Sequence, residues 1–503
     1  MTGFEHFPAL LIVIPLLSAF IIGIAGQFNK KFCHPLAVLA LIGSLYASVK
    51  TLCQVLESGP LHYRLGGWAP PFGIEYVVDH LNGLVLVVIS FVALMAALFA
   101  KESVKKDLPD RIPHFYVLYI LLVTGLLGMT VTGDAFNLYV LMEITALTNY
   151  ALIAIGRDRA LISGFNYVIM GTIGACFYLL GVGHLYIMTG SLNMADLYNI
   201  LPALYGSNAI LVAFILILVG LWIKMAFFPL HGWLPNAYTY APSATGTLIA
   251  PLMTKVTIYI MIRVMFSIFS PAFVYETFAM HSAVVWMAVA AIIGGSILAL
   301  AQRDFKKMLT YLVVAEVGYM VGGIWLANRN GMTGAILHIM NDALMTLCLF
   351  LVAGIIVYKR GGHHFDDLRG LYRKMPVTMG AFTIGALSMI GVPPLAGFFS
   401  KWYLILGAID GGQWGFMAAL LFSSLVNAVL FFRVIEVGYF EPFKEHHGDD
   451  GDGHHLEPPE PIDEAPLSML VPLVIVSVSL IVVGLYTGDI VTAIIQFAVP
   501  AGI

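Results

Sequence analysis

The chain has 503 residues, 60% hydrophobic and 11% charged, with a mean hydropathy of +0.90. These values exclude an ordinary soluble globular protein of this length and describe a polytopic helical membrane protein. The net charge of −4 comes without a basic patch for nucleic acid, and Cys33, Cys53, Cys176 and Cys348 stand singly. That spacing gives neither a CxxC metal or iron–sulfur motif nor a disulfide framework, so the cysteines read as small packing residues.

From the N-terminus, the first apolar run (8–26) has no positively charged region before it and reads as a retained span, not a cleaved signal. Runs of about 20 apolar residues predict fourteen spans in one membrane domain, 1–503. They fall at about 8–26, 34–53, 77–100, 113–131, 134–155, 161–188, 207–240, 244–268, 282–301, 308–328, 331–357, 376–408, 413–440 and 466–488.

Charge fixes an orientation. With the N-terminus outside, the loops on the cytoplasmic side hold Lys30, Lys31, Lys101, Lys105, Lys106, Arg111, Arg157, Arg159, Arg303, Lys306, Lys307, Lys359, Arg360, Arg369, Arg373, Lys374 and Lys444, or 17 of the 25 basic residues. The opposite side holds Lys50, Arg64 and Arg329. The positive-inside rule therefore places both termini outside, in a prokaryotic inner membrane. Arg263 and Arg433 lie near span ends, where long side chains snorkel. Lys224, Lys255 and Lys401 lie deeper.

Two spans exceed thirty residues, and both are interrupted by prolines, at FFPLHGWLP (227–235) and GVPPLAGFF (391–399). Each carries a lysine near its break. Paired broken helices in two halves of a chain point to inverted repeats, here 113–268 and 282–440, with three leading spans and one trailing. The polar stretch 442–465 carries histidines and carboxylates that could bind a metal. With nothing apolar to hold such ligands, it reads as a solvated cytoplasmic loop.

Charged residues inside the bilayer are costly and functional by default. Glu143 lies in the fifth span, Glu316 in the tenth, and His338 and Asp342 in the eleventh, spaced i,i+4 on one face. Lys401 follows the second break, and Asp79 sits near the outer end of the third span. Burial disfavours the charged form of a lysine or a carboxylate, and a nearby opposite charge restores it. A lysine facing a glutamate is therefore a switchable proton site, and Glu143 with Lys224 is the first such pair. The bland alternative is a static ion pair or polar packing contact. His231 and Asn236 at the first break could serve the path or only satisfy freed backbone groups. The chain offers no P-loop, zinc motif or nucleophile triad, so neither cofactor nor metal is expected, nor enzyme activity by the chain alone.

At VVDHLNGL (77–84), DAFNLYVLMEI (134–144), KMAFFPLHGWLPNAYTYAP (224–242), LMTKVTIYIMIR (252–263) and GVPPLAGFFSKWY (391–403) the chain resembles a known family. These are the antiporter-like proton-translocating subunits of respiratory complex I, Mrp-type Na+/H+ antiporters and membrane-bound hydrogenases. The resemblance covers nearly the whole chain and implies an all-α fold of fourteen helices. Two inverted five-helix repeats and broken seventh and twelfth helices come with it. It also implies roles: Glu143 and Lys224 as the fifth- and seventh-helix pair, Lys255 as the connecting lysine, His338 as the bridging histidine and Lys401 as the terminal lysine. Lys401 and the lack of a long lateral helix favour a likeness to the D-type member of the Mrp antiporters.

Four positions depart from the family pattern. Asp342 and Thr346 stand where a second histidine and a lysine are usual, Asn236 where aspartate is common, and Glu316 where Gln, His or Ser is common. The central connection could then run through Asp342 or Glu316. The resemblance implies a proton-channel subunit of a multisubunit Na+/H+ antiporter, partnered by other membrane subunits, H+, Na+ and the lipid bilayer. A redox-driven pump in a complex I-like or hydrogenase complex, where the assembly would be a translocase, is the alternative in the same fold. A non-translocating scaffold subunit is the alternative from another class.

Overall fold

The computed structural model describes residues 6–156, 158–440, 462–500 and 502–503. The polar stretch expected at 442–465 lies outside the described residues up to 461. Twelve described helices are long and apolar enough to cross a membrane. Two further crossings are made in pieces: Asn208–Lys224 continues as Leu234–Tyr240, and Pro376–Ile390 as Ala396–Asp410. Together they give the fourteen crossings in the expected order, with the seventh and twelfth broken.

The breaks form where the sequence withdraws backbone donors. Pro229 and Pro235 lack an N–H, and the turn before them holds Ala226 at a positive φ of 58°. In the twelfth crossing Gly391 ends the first piece in the left-handed region, at φ 96°, and Pro393 and Pro394 follow. A broken helix in hydrocarbon must satisfy the carbonyls it frees. The Trp233 Nε1–H donates to Ile223 O at 3.0 Å, and Lys401 Nζ donates to Met389 O at 2.7 Å and Ile390 O at 3.4 Å. Each break is closed by a side chain from beyond it.

The fifth helix (Ala135–Ala154) and the tenth (Phe305–Trp325) start alike. Asp134 caps the first by accepting from Asn137 N at 2.6 Å, and Asp304 caps the second by accepting from Lys307 N at 2.9 Å. Asp134 bridges antiparallel to Asn193, and Asp304 to His364. Between the second helix (Cys33–Ser58) and the third (His80–Asp107), β1 (Leu61–Arg64) pairs antiparallel with β2 (Glu75–Val78). Asp79 then caps the third helix, accepting from Leu81 N and Asn82 N.

The eighth helix (Ser243–Arg263), the tenth and the eleventh (Arg329–Arg360) form the centre, buried over nearly their whole length. The first helix (Phe7–Phe28), the sixth (Arg159–Thr189) and the thirteenth (Trp414–Phe440) are peripheral and turn apolar side chains such as Phe20, Ile187 and Leu425 outward. In lipid such faces carry no hydrophobic penalty, and helices associate through close backbone approach. At Gly220 an added Cβ would lie 2.6 Å from Gly174 O, so the sixth and seventh crossings meet through glycine. Cys33 and Cys348 are buried, whereas Cys53 and Cys176 are exposed.

Candidate functional site

The fold gives most of the expected charges partners on other helices, in a series of sites from the fifth helix to the twelfth crossing. Glu143, midway along the fifth helix, meets Lys224, the last residue of Asn208–Lys224, at 2.9 Å. The helix break leaves Lys224 at a terminus inside the protein. Its side chain is 8% exposed and that of Glu143 26%, so the carboxylate is the more accessible partner.

Lys255 on the eighth helix pairs with Asp342 on the eleventh at 2.8 Å, with side chains 2% and 0% exposed. The ammonium lies off the hydrogen-bond direction of Asp342 Oδ2, and its hydrogen bond goes to Ala250 O at 3.2 Å. Thr346 Oγ1 donates to Asp342 Oδ1 at 2.8 Å. Two of the residues that depart from the family pattern thus touch, and the aspartate supplies the counter-charge to the central lysine.

One turn away, His338 stands between two partners. Its Nε2 is 2.6 Å from Glu316 Oε2 and its Nδ1 is 2.8 Å from Ser400 Oγ, with all three buried. Ser400 precedes Lys401, whose ammonium donates to Met389 O and lies 3.3 Å from Ser424 Oγ. Lys401 also sits 5.1 Å above the Tyr319 ring, which is 5.4 Å from the His338 ring. Among the described residues Lys401 has no carboxylate at ion-pair distance. Carbonyls and an aromatic face replace it.

His338 and Asp342, placed on one helix face by their spacing, turn to different partners. His231 stacks on Phe228 at 5.2 Å, and its Nδ1 has no hydrogen-bond partner. Among the described residues no ion pair joins it to the row. Buried polar atoms without protein partners accompany the row: Glu316 Oε1, Tyr319 Oη, Asn341 Oδ1 and Thr254 Oγ1. Buried groups of this kind are the ones that ordered water serves. No group of three or more metal-ligating side chains is placed to hold an ion among the described residues.

Sequence reasoning missed three groups. Tyr319 could have been found, because it lies one turn from Glu316. Arg263, taken as snorkelling, instead pairs with Asp79 at 2.6 Å. Lys306, counted with the loop charges, is buried and donates to Ala241 O at 2.7 Å, at the junction of the seventh and eighth crossings.

Residues 132–427 match the family described as NADH:quinone oxidoreductase/Mrp antiporter, TM. The chain belongs to that family. The match spans every charged group from Glu143 to Lys401. A relative from Desulforudis audaxviator, named as the N subunit of NADH-quinone oxidoreductase, is 43% identical over 98% of this chain and 99% of its own. The D-type member of the Na(+)/H(+) antiporter of Alkalihalophilus pseudofirmus is 32% identical over 79% of this chain and 80% of its own. Among solved structures, a chain of the Mrp complex from a Dietzia species superposes with a TM-score of 0.88 at 25% identity, covering 100% of this chain and 98% of that one. This family member is therefore a multi-pass membrane protein with the all-α fold of those subunits.

Proposed function

We propose that this chain is the proton-translocating subunit of a multisubunit Na+/H+ antiporter. Protons would move through Glu143, Lys224, Lys255, Asp342, His338, Glu316 and Lys401. One observation carries the reading: three acid–base pairs, each drawn from two different helices, lie inside one family fold, two of them fully buried and the third with a buried lysine, and a fourth buried cation, Lys401, accompanies them. Taking charges out of water costs several kcal/mol per ion, and replacing such pairs by packed apolar side chains is often neutral or stabilising. Three pairs together are therefore poorly explained by stability. Each pair can hold or give up a proton as its partner's charge changes. The two broken helices with lysines at their breaks fit a pair of inverted half-channels, 113–268 and 282–440.

The chain would work beside other membrane subunits, in the prokaryotic inner membrane with both termini outside, as the basic loops favour. His231 belongs to the break more than to the path. A Na+ pulse given to everted vesicles, with dye quenching as the readout and a native gel as the assembly control, tests the reading. Glu143→Gln and Lys224→Ala should each abolish the response in an assembled complex. Near-normal antiport in either would favour a scaffold subunit. The 43% relative supports a second reading, a redox-driven pump subunit. Proton movement driven by quinone reduction and indifferent to Na+ would select it.

A further inference from the structure

A cavity of about 310 Å³ opens beside the β1–β2 hairpin, lined by His62, Glu75, Thr132, Asn193, Arg263 and Ser267. On the orientation proposed above it faces the outer side. Its acid, Glu75, is buried and lies 3.1 Å from His62 Nδ1, so the cavity wall has a group that attracts protons and cations.

Its inner wall is Arg263. The guanidinium pairs with Asp79 Oδ2 at 2.6 Å, and its Nε–H donates to Tyr259 Oη at 2.9 Å. Tyr259 Oη in turn donates to Thr130 O at 2.7 Å. Asp79 is itself fixed by capping the third helix. Lys255, Tyr259 and Arg263 are spaced i,i+4,i+8 along the eighth helix, which puts the backbone of Arg263 about 12 Å along the axis from that of the central lysine. Arg263 lines the cavity and Asp79 does not, so the pair presents its positive end to the cavity.

A guanidinium does not release its proton, so it cannot be a relay member. A fixed positive charge at a constriction excludes protons and cations. We propose that Arg263, held by Asp79 and Tyr259, is the electrostatic seal between this outer cavity and Lys255. It would keep protons and metal cations from reaching the translocation row by that side.

The seal rests on the translocation reading, but its assay needs no coupling ion. Passive collapse of an imposed pH gradient is measured in vesicles carrying the whole complex, without Na+. The paired change Asp79→Asn with Arg263→Gln removes both charges and leaves no orphan. It should raise the leak tenfold or more, whereas Arg263→Lys should stay near the parent. Lys255→Met with Asp342→Asn, which leaves no orphaned charge at the central pair, added to the paired change should suppress the leak again. Should the paired variant fail to assemble, Ser267→Asp keeps Arg263 and sets a carboxylate where Ser267 Oγ now lies, 3.3 Å from Nη1. It too should leak. An assembled variant of either kind with parental leak overturns the seal and makes the pair a structural staple. If the parent complex keeps its Na+-driven antiport, that result leaves the proposed function standing.

Discussion

Replacing Asp342 by Asn removes the counter-charge of Lys255 where both side chains are at most 2% exposed. Breaking a buried ion pair by deleting one partner costs about 3–5 kcal/mol, because the remaining charge is left uncompensated. The strain can be relieved by destabilising the fold or by Lys255 losing its proton. Either way the lysine no longer alternates between the two states. If the whole cost falls on the proton-transfer step, the rate drops by about two to four decades, at 1.36 kcal/mol per decade. Antiport measured by dye quenching should therefore vanish in Asp342→Asn, with assembly reduced. The decisive variant is Asp342→Asn with Lys255→Met. It leaves no buried charge, and exchanging an ion pair for neutral groups of similar size is often tolerated. Assembly on the native gel should recover while antiport stays absent. A double variant that assembles and transports near normally would refute the role of the pair and send the central connection elsewhere.

Glu143→Gln combined with Lys224→Ala should cost little more than either single change, because contacting residues that act as a unit are not additive. Glu316→Gln should slow antiport at least tenfold while leaving the complex assembled, since the amide still reaches His338 but cannot exchange a proton with it; unchanged antiport would remove Glu316 from the path. In a chain whose exposed Cys53 and Cys176 are replaced by serine, Asp366→Cys should react with a membrane-impermeant thiol reagent only from the cytoplasmic side. Labelling of that cysteine in intact cells would invert the proposed topology. Gly220→Leu should loosen the sixth and seventh crossings by about 1–3 kcal/mol of overpacking, read as reduced assembly on the native gel.

The number and order of the crossings were legible in the chain, because each needs its own run of apolar residues and a bilayer reads that run locally. So were the two breaks, since proline withdraws a donor wherever the fold places it. The identity of most of the row was legible too, from the cost of a charge in an apolar span. Partners were a different matter. Glu143 and Lys224 are 81 residues apart in sequence, and Glu316 and His338 are 22 apart. Nothing local says that Asp342 turns to Lys255 while His338, one turn away, turns to Glu316 and Ser400. Arg263 read as a snorkelling end and Lys306 as a loop charge, because hydropathy sees depth along one helix and not which neighbour covers it. The sequence by itself determined which residues cross the membrane and which of them carry charge. Only the packing of the eighth, tenth and eleventh helices decided which charges neutralise which, because an ion pair depends on distances of a few ångströms between segments that are remote along the chain.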